Sequence, residues 1–221
     1  MQIKICGLFR EQDIDFVNEA RPDYVGFVFA ESKRQVNPVL AQHLRFRLNS
    51  SIAPVGVFVN ARIADIAALY QNGVISIAQL HGDEDESYIT ALKKASGNKP
   101  ITIIKTVKFS TTNEHKPSRT IKKSQNLSSC GSWLNSSTSA DYLLIDSGAG
   151  SGKTFNWDSL KSIKFPKPWF IAGGIDIKNI DKAMSHNPFA VDVSSGAETD
   201  GIKDRNKIIE LVTAVRQEKK Q

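Results

Sequence analysis

The chain has 221 residues, 40% of them hydrophobic, and 29 lysines and arginines against 23 acidic residues give a net charge of +6. No apolar run reaches the about 18 residues of a membrane span, and no basic and then apolar leader opens the chain, so a soluble, cytoplasmic protein is expected, folded as a single domain over 1–221. Two cysteines, Cys6 and Cys130, form neither a disulfide framework nor a C-x-x-C pair, as suits a reducing compartment. Much of the positive excess is local: residues 108–140 carry Lys108, Lys116, Arg119, Lys122 and Lys123 against Glu114 alone, and Arg216, Lys219 and Lys220 lie in the tail. A basic loop and tail on a near-neutral body do not make a nucleic-acid groove, so no nucleic-acid or membrane partner is expected.

The first strand is expected at Gln2–Cys6, and the Gly7-Leu8-Phe9-Arg10 that follows lacks the G-x-G-x-x-G of a dinucleotide fold. A second lies at Tyr24–Phe29. Asn37-Pro38 then reads as a helix cap followed by proline at the first helical position. After a third strand at Val55–Val59, Ile63, Ile66, Ala67 and Tyr70 share a helical face that stops at Gly73. After a fourth at Ile75–Leu80, Tyr88, Ile89, Leu92 and Ala95 do the same and stop at Gly97. The fifth strand, Ile101–Val107, runs into the Ser-, Thr-, Asn- and Lys-rich 108–140. Its weak apolar periodicity predicts an expanded polar loop in place of or around the fifth helix, with one helical piece around Arg119–Leu127. Strands six to eight are expected at Tyr142–Ile145, Trp169–Ala172 and Ala190–Val193. Asp176 is placed to cap a helix bearing Ile180, Ala183 and Met184, and Asp204 one bearing Ile208, Leu211, Val212 and Val215.

Several of these strands are continuous Val/Ile/Phe runs, as strands covered on both faces should be. A regular β-then-α order predicts a parallel sheet, and eight strands are the number that closes a (β/α)8 TIM barrel. Catalytic groups of that fold stand at the C-terminal strand ends. There the chain places Cys6, Arg34 just past strand two, His81, Asp146, Gly173-Gly174 and Ser195-Gly196.

Each has a structural and a chemical reading. Cys6 is either a small buried hydrophobe or a thiolate base. Asp146, directly after an apolar strand, is costly unless solvated or used. Arg34 can pair with an acid of the protein, or its planar fork can hold a substrate carboxylate. His81 reads as a hydrogen-bonded structural residue rather than a general base. Glycine at 173, 174 and 196 lets backbone N–H groups approach an anion, and phosphate sites of barrels fall after strands seven and eight. Ser147 to Thr154 (S-G-A-G-S-G-K-T) nearly spells a nucleotide-binding P-loop but has serine where glycine is needed. It reads better as a glycine loop that folds over a substrate beside Asp146.

At these residues the chain resembles the phosphoribosylanthranilate isomerase family of tryptophan biosynthesis. The resemblance rests on K-I-C-G at 4–7, G-F-V-F and S-K-R within 26–34, V-G-V-F-V-N at 55–60, Q-L-H-G at 79–82, L-L-I-D and G-S-G-K-T-F-N-W within 143–157, A-G-G-I at 172–175 and V-D-V-S-S-G-A-E at 191–198. Residues 108–140 are longer than the family pattern, and Ala149 interrupts a glycine-rich stretch. The resemblance implies an Amadori rearrangement of N-(5-phosphoribosyl)anthranilate, a phosphosugar substrate. Asp146 would be the general acid and Cys6 the general base. Arg34 would take the anthranilate carboxylate, and Gly150, Gly152, Gly173, Gly174, Ser195 and Gly196 would line the substrate. It implies no metal or organic cofactor, since acid and base alone move the protons, and it names no channelling partner. A histidine-pathway isomerase would carry aspartate at position 6 and a second glycine-rich phosphate loop in the N-terminal half. Neither is present.

Overall fold

The computed structural model describes residues 1–108, 138–146 and 157–217. Eight parallel strands close into a barrel in sequence order: β1 (Gln2–Cys6), β2 (Tyr24–Val28), β3 (Ala53–Phe58), β4 (Ile77–Leu80), β5 (Thr102–Lys108), β6 (Tyr142–Asp146), β7 (Trp169–Ile171) and β8 (Ala190–Val193). The seam pairs first strand with last, from Gln2 opposite Ala190 to Ile5 opposite Val193. The expected strands are all present, and their ends differ by up to two residues.

Alternation along each strand separates two cores. Ile3, Ile5, Val25, Phe27, Ile103, Leu143, Val191 and Val193 point outward into the layer beneath the helices. Val55, Ile77, Ile104, Leu144, Phe170 and Ala190 fill the barrel, with Tyr24, Tyr142 and Phe189 packed against them. Edge-to-face contacts of Phe170 with Tyr24 and Tyr142 close this interior plug.

The described helices are α1 (Glu11–Ala20), α2 (Pro38–Arg47), α3 (Ile63–Gln71), α4 (Glu86–Ala95), α5 (Ile180–Met184) and α6 (Arg205–Gln217). Asn37 caps α2 through Oδ1, which accepts from Leu40 N at 2.8 Å, and Asp85 caps α4 by the same bond to Tyr88 N. Asp204 caps α6 as expected, accepting from the N–H of Asn206 and Lys207. The Asp176 expectation needs correction. Its side chain accepts from Lys178 N in a turn, Asn179 is the N-cap, and α5 is only five residues long. After β6 the described chain forms a 3₁₀ turn, Trp157–Ser162, instead of an α-helix. The 108–140 loop, its helical piece, Cys130 and the near P-loop fall largely or wholly outside the described residues.

One element has no counterpart in the sequence reading. After β8, a 3₁₀ turn (Ser195–Ala197) leads into a two-residue antiparallel hairpin, β9 (Glu198–Thr199) and β10 (Ile202–Lys203), with Glu198 opposite Lys203. Arg10, at the start of α1, donates to the carbonyl of Lys203 at 3.1 Å and ties this hairpin to the barrel wall.

Candidate active site

Asp146 ends β6 with its side chain 16% exposed, and His81 reaches it from the end of β4, Nε2 to Oδ2 at 3.3 Å. The imidazole is fixed from behind. Its Nδ1 lies 3.1 Å from Thr106 Oγ1 on β5 and 3.2 Å from Gln79 Nε2 on β4. These two contacts fix the ring plane so that Nε2 faces the carboxylate. The loop carrying His81 is itself anchored. Glu84, wholly buried, accepts from the N–H of Asn60 and Gly82 and pairs with the ammonium of Lys105 at 2.8 Å. His81 is hydrogen-bonded, as expected, and it is also the immediate neighbour of Asp146.

Cys6 ends β1, and two strands, β7 and β8, separate it from β6 on the shorter way round the barrel. It lies opposite Gly26 of β2, where a Cβ would stand 2.5 Å from the sulfur. Only glycine at 26 leaves room for the thiol. Beneath Cys6 on the same inward face is Lys4, wholly buried, whose Nζ reaches Asp192 Oδ2 of β8 at 2.9 Å. Burial pushes the Cys6 thiol above its ordinary value; Lys4 and Lys203 pull against that rise, while Asp192 adds to it. Burial also works against a charge on Lys4, but Asp192 and the neighbouring thiol outweigh it and leave its pKa above the usual lysine value.

Arg34 reaches the same side and is held bidentately by Glu198, Nε to Oε1 at 2.7 Å and Nη2 to Oε2 at 2.6 Å. Lys203 pairs with the same carboxylate and also donates to Ser194 O. Burial resists ionisation of Glu198, yet hydrogen bonds from Arg34 and Lys203 outweigh it and hold the carboxyl below its ordinary value. Desolvation wins at Lys203, which is pulled below the usual lysine range despite its partner.

Gly173 and Gly174 follow β7 with φ of 98° and 65°, conformations that favour glycine. Gly196 packs so closely on the neighbouring loop that a Cβ would lie 1.9 Å from Ile175 O. No acceptor among the described residues takes the backbone N–H of Gly173, Gly174, Ser195 or Gly196. These donors share one rim, as expected, although Gly196 is required by packing as much as by any ligand. Gly150 and Gly152 lie outside the described residues.

The structure thus brings Cys6 and Arg34 into one charged cluster and sets Asp146 apart with His81. Sequence reasoning passed over Lys4, Asp192, Glu198 and Lys203. A signal was present for the first two: a lysine in I-K-I-C and an aspartate in V-D-V, each charged in the middle of an apolar strand. Glu198 and Lys203 depend on a hairpin too short to announce itself.

A profile of the family described as N-(5'-phosphoribosyl)anthranilate (PRA) isomerase matches residues 3–214. The chain is similar to the N-(5'-phosphoribosyl)anthranilate isomerase of Endomicrobium trichonymphae, at 43% identity over 97% of this chain and 98% of the relative. Among solved structures, phosphoribosyl anthranilate isomerase from Thermotoga maritima superposes with a TM-score of 0.77 at 30% identity, covering 98% of this chain and 99% of that one. A phosphoribosyl anthranilate isomerase in complex with reduced 1-(o-carboxyphenylamino)-1-deoxyribulose 5-phosphate gives a TM-score of 0.76 at 28% identity, covering 98% and 99%. With the barrel closed and the expected strand-end residues in place, the chain belongs to the phosphoribosylanthranilate isomerase family of enzymes.

Proposed function

We propose that this chain converts N-(5-phosphoribosyl)anthranilate into 1-(2-carboxyphenylamino)-1-deoxyribulose 5-phosphate, with Asp146 as general acid and Cys6 as general base. The observation that carries this reading is the placement of the two proton-transfer groups at separate stations of one barrel mouth. A rim of backbone N–H donors that no acceptor among the described residues takes lies after β7 and β8. The ligand of the solved relative, a reduced form of the same product, agrees with it.

In the first step, Asp146 protonates the ribose ring oxygen as the C1–O bond breaks, and the anthranilate nitrogen lone pair forms the C1=N bond of a Schiff base. In the second, the Cys6 thiolate takes the proton from C2, and the C2–H electron pair flows toward nitrogen to give an enolamine. Tautomerisation of the enol gives the ketone. Arg34 keeps Nη1 for the anthranilate carboxylate, because Glu198 occupies only Nε and Nη2. The 5-phosphate rests on Gly173, Gly174, Ser195 and Gly196, whose N–H groups face no protein acceptor among the described residues. The family resemblance adds Gly150 and Gly152, outside the described residues, to the substrate-binding set.

The test is rescue of a tryptophan auxotroph lacking this isomerase, together with turnover of the phosphoribosylanthranilate by purified protein. Growth and turnover that disappear in Cys6→Ser support the reading. Absence of turnover in the wild-type protein, or normal turnover in Cys6→Ser, overturns it.

A further inference from the structure

A buried ion pair is seldom a stability device, since desolvating two charges offsets most of their attraction. Lys4 and Asp192 form such a pair in the barrel interior, and the pair is imperfect: Asp192 Oδ1 is buried with no hydrogen-bond partner among the described residues. An unpartnered carboxylate oxygen there costs stability. What the pair does contribute is position. Lys4 is two residues before Cys6 on β1, so both side chains enter the barrel on one face. Asp192 is the direct register partner of Lys4 on β8, and from there it holds the ammonium inside the barrel below the thiol.

Among the described residues, the charges around Cys6 are Lys4 from β1, Asp192 from β8, Arg34 from the loop after β2, and Lys203 with its partner Glu198 from the hairpin after β8. Arg34 and Lys203 are both committed to Glu198. Three cations face two carboxylates, and the excess positive charge is matched when the thiol ionises.

We propose that Lys4 is a positioning residue for the reaction, its ammonium clamped by Asp192 beneath Cys6 as the countercharge of the thiolate. This rests on the base role given to Cys6 above, but it is testable without substrate. In a Cys130→Ala background, where Cys6 is the only thiol, the pH midpoint of Cys6 ionisation is read from ultraviolet thiolate absorbance and from the rate of iodoacetamide alkylation. Three proteins are compared: the parent, Lys4→Met, and Lys4→Met/Asp192→Asn.

Lys4→Met removes the cation and leaves the anion, so the midpoint rises most, by at least one pH unit. Alkylation below the midpoint then falls about tenfold. The double variant removes both charges and falls between. Equal midpoints in all three, or a double variant that exceeds the single, overturn the proposal. Where the unpaired aspartate keeps Lys4→Met from folding, the double variant, whose interior is uncharged, decides by the same midpoint. In steady state, Lys4→Met should lower kcat with little change in KM and move the ascending limb of the pH profile to higher pH. Normal turnover in Cys6→Ser would remove the base role while leaving the titration result standing, so the two readings fail separately.

Discussion

On the β4–β6 side of the mouth, Asp146 is partly open to solvent and keeps the company of an imidazole, a hydroxyl and an amide. On the β1–β2–β8 side, Cys6 is buried among three cations and two carboxylates. Both sides are held by hydrogen bonds and both belong to one rim, yet beside Asp146 the buried Glu84–Lys105 pair stands one step back, under the His81 loop, whereas beside Cys6 the full charges are the immediate neighbours. The difference fits the proposed work. An acid must exchange its proton with solvent between turnovers and needs orientation more than charge. A base that carries negative charge in a low-dielectric interior needs a fixed countercharge.

The largest expected effect tests whether both sides are catalytic at all. Cys6→Ser and Asp146→Asn should each lower kcat by about 10²–10⁴-fold with smaller changes in KM, measured by steady-state turnover. Loss in only one of them would reduce the mouth to a single working side.

Next comes Glu198→Gln, which breaks the charged side at its centre by leaving Arg34 and Lys203 without their shared anion. Opening a buried pair of this kind costs about 3 kcal/mol, readable by urea denaturation. Among the described residues no comparable network on the opposite side depends on Asp146, so Asp146→Asn should unfold at nearly the parent's urea midpoint.

Smaller effects separate the sides further. Arg34→Ala should raise KM about tenfold, in keeping with a lost charge-assisted contact, and leave kcat nearly intact. His81→Gln should lower kcat about tenfold without moving KM, because it loosens Asp146 and touches no proposed binding group. An unchanged KM in the first or a raised KM in the second would exchange their roles.

The smallest is a pH effect on stability. Glu198 has a folded pKa below its unfolded value. Its stabilisation is therefore complete above the ordinary glutamate range and is lost as pH falls through the lower, folded value. Thermal melts at successively lower pH should show this loss in the parent, and Glu198→Gln should lack that part of it.

These two sides were not equally legible in the sequence. Strand order, closure and the strand-end residues follow from apolar runs and their spacing, because a parallel barrel turns one-dimensional order directly into neighbour relations. Asp146 and Cys6 could be read in this way. The Asp146–His81 contact could not, since it depends on how His81, just after β4, reaches across β5 to the end of β6. Lys4 and Asp192 were legible as misfits in apolar strands, but their pairing needs the register of the seam. Glu198 escaped notice because a two-residue hairpin has no periodicity to detect, and Asp176 misled because a turn and a helix begin with the same residues.

The seam itself has a consequence for how the molecule comes into being. Lys4 and Asp192 are 188 positions apart, and Arg34 and Glu198 are 164. Such distant pairings are formed late and slowly in a chain that folds by accumulating local contacts. A growing chain that has completed β6 already possesses the residues that surround Asp146. It has no means of caging the charge on Lys4, or of holding Arg34, until the closing strand and its hairpin arrive. A protease that trims the last helix and hairpin before the barrel shuts would therefore leave a species with half a mouth. In this fold, ring closure and chemical competence are the same event.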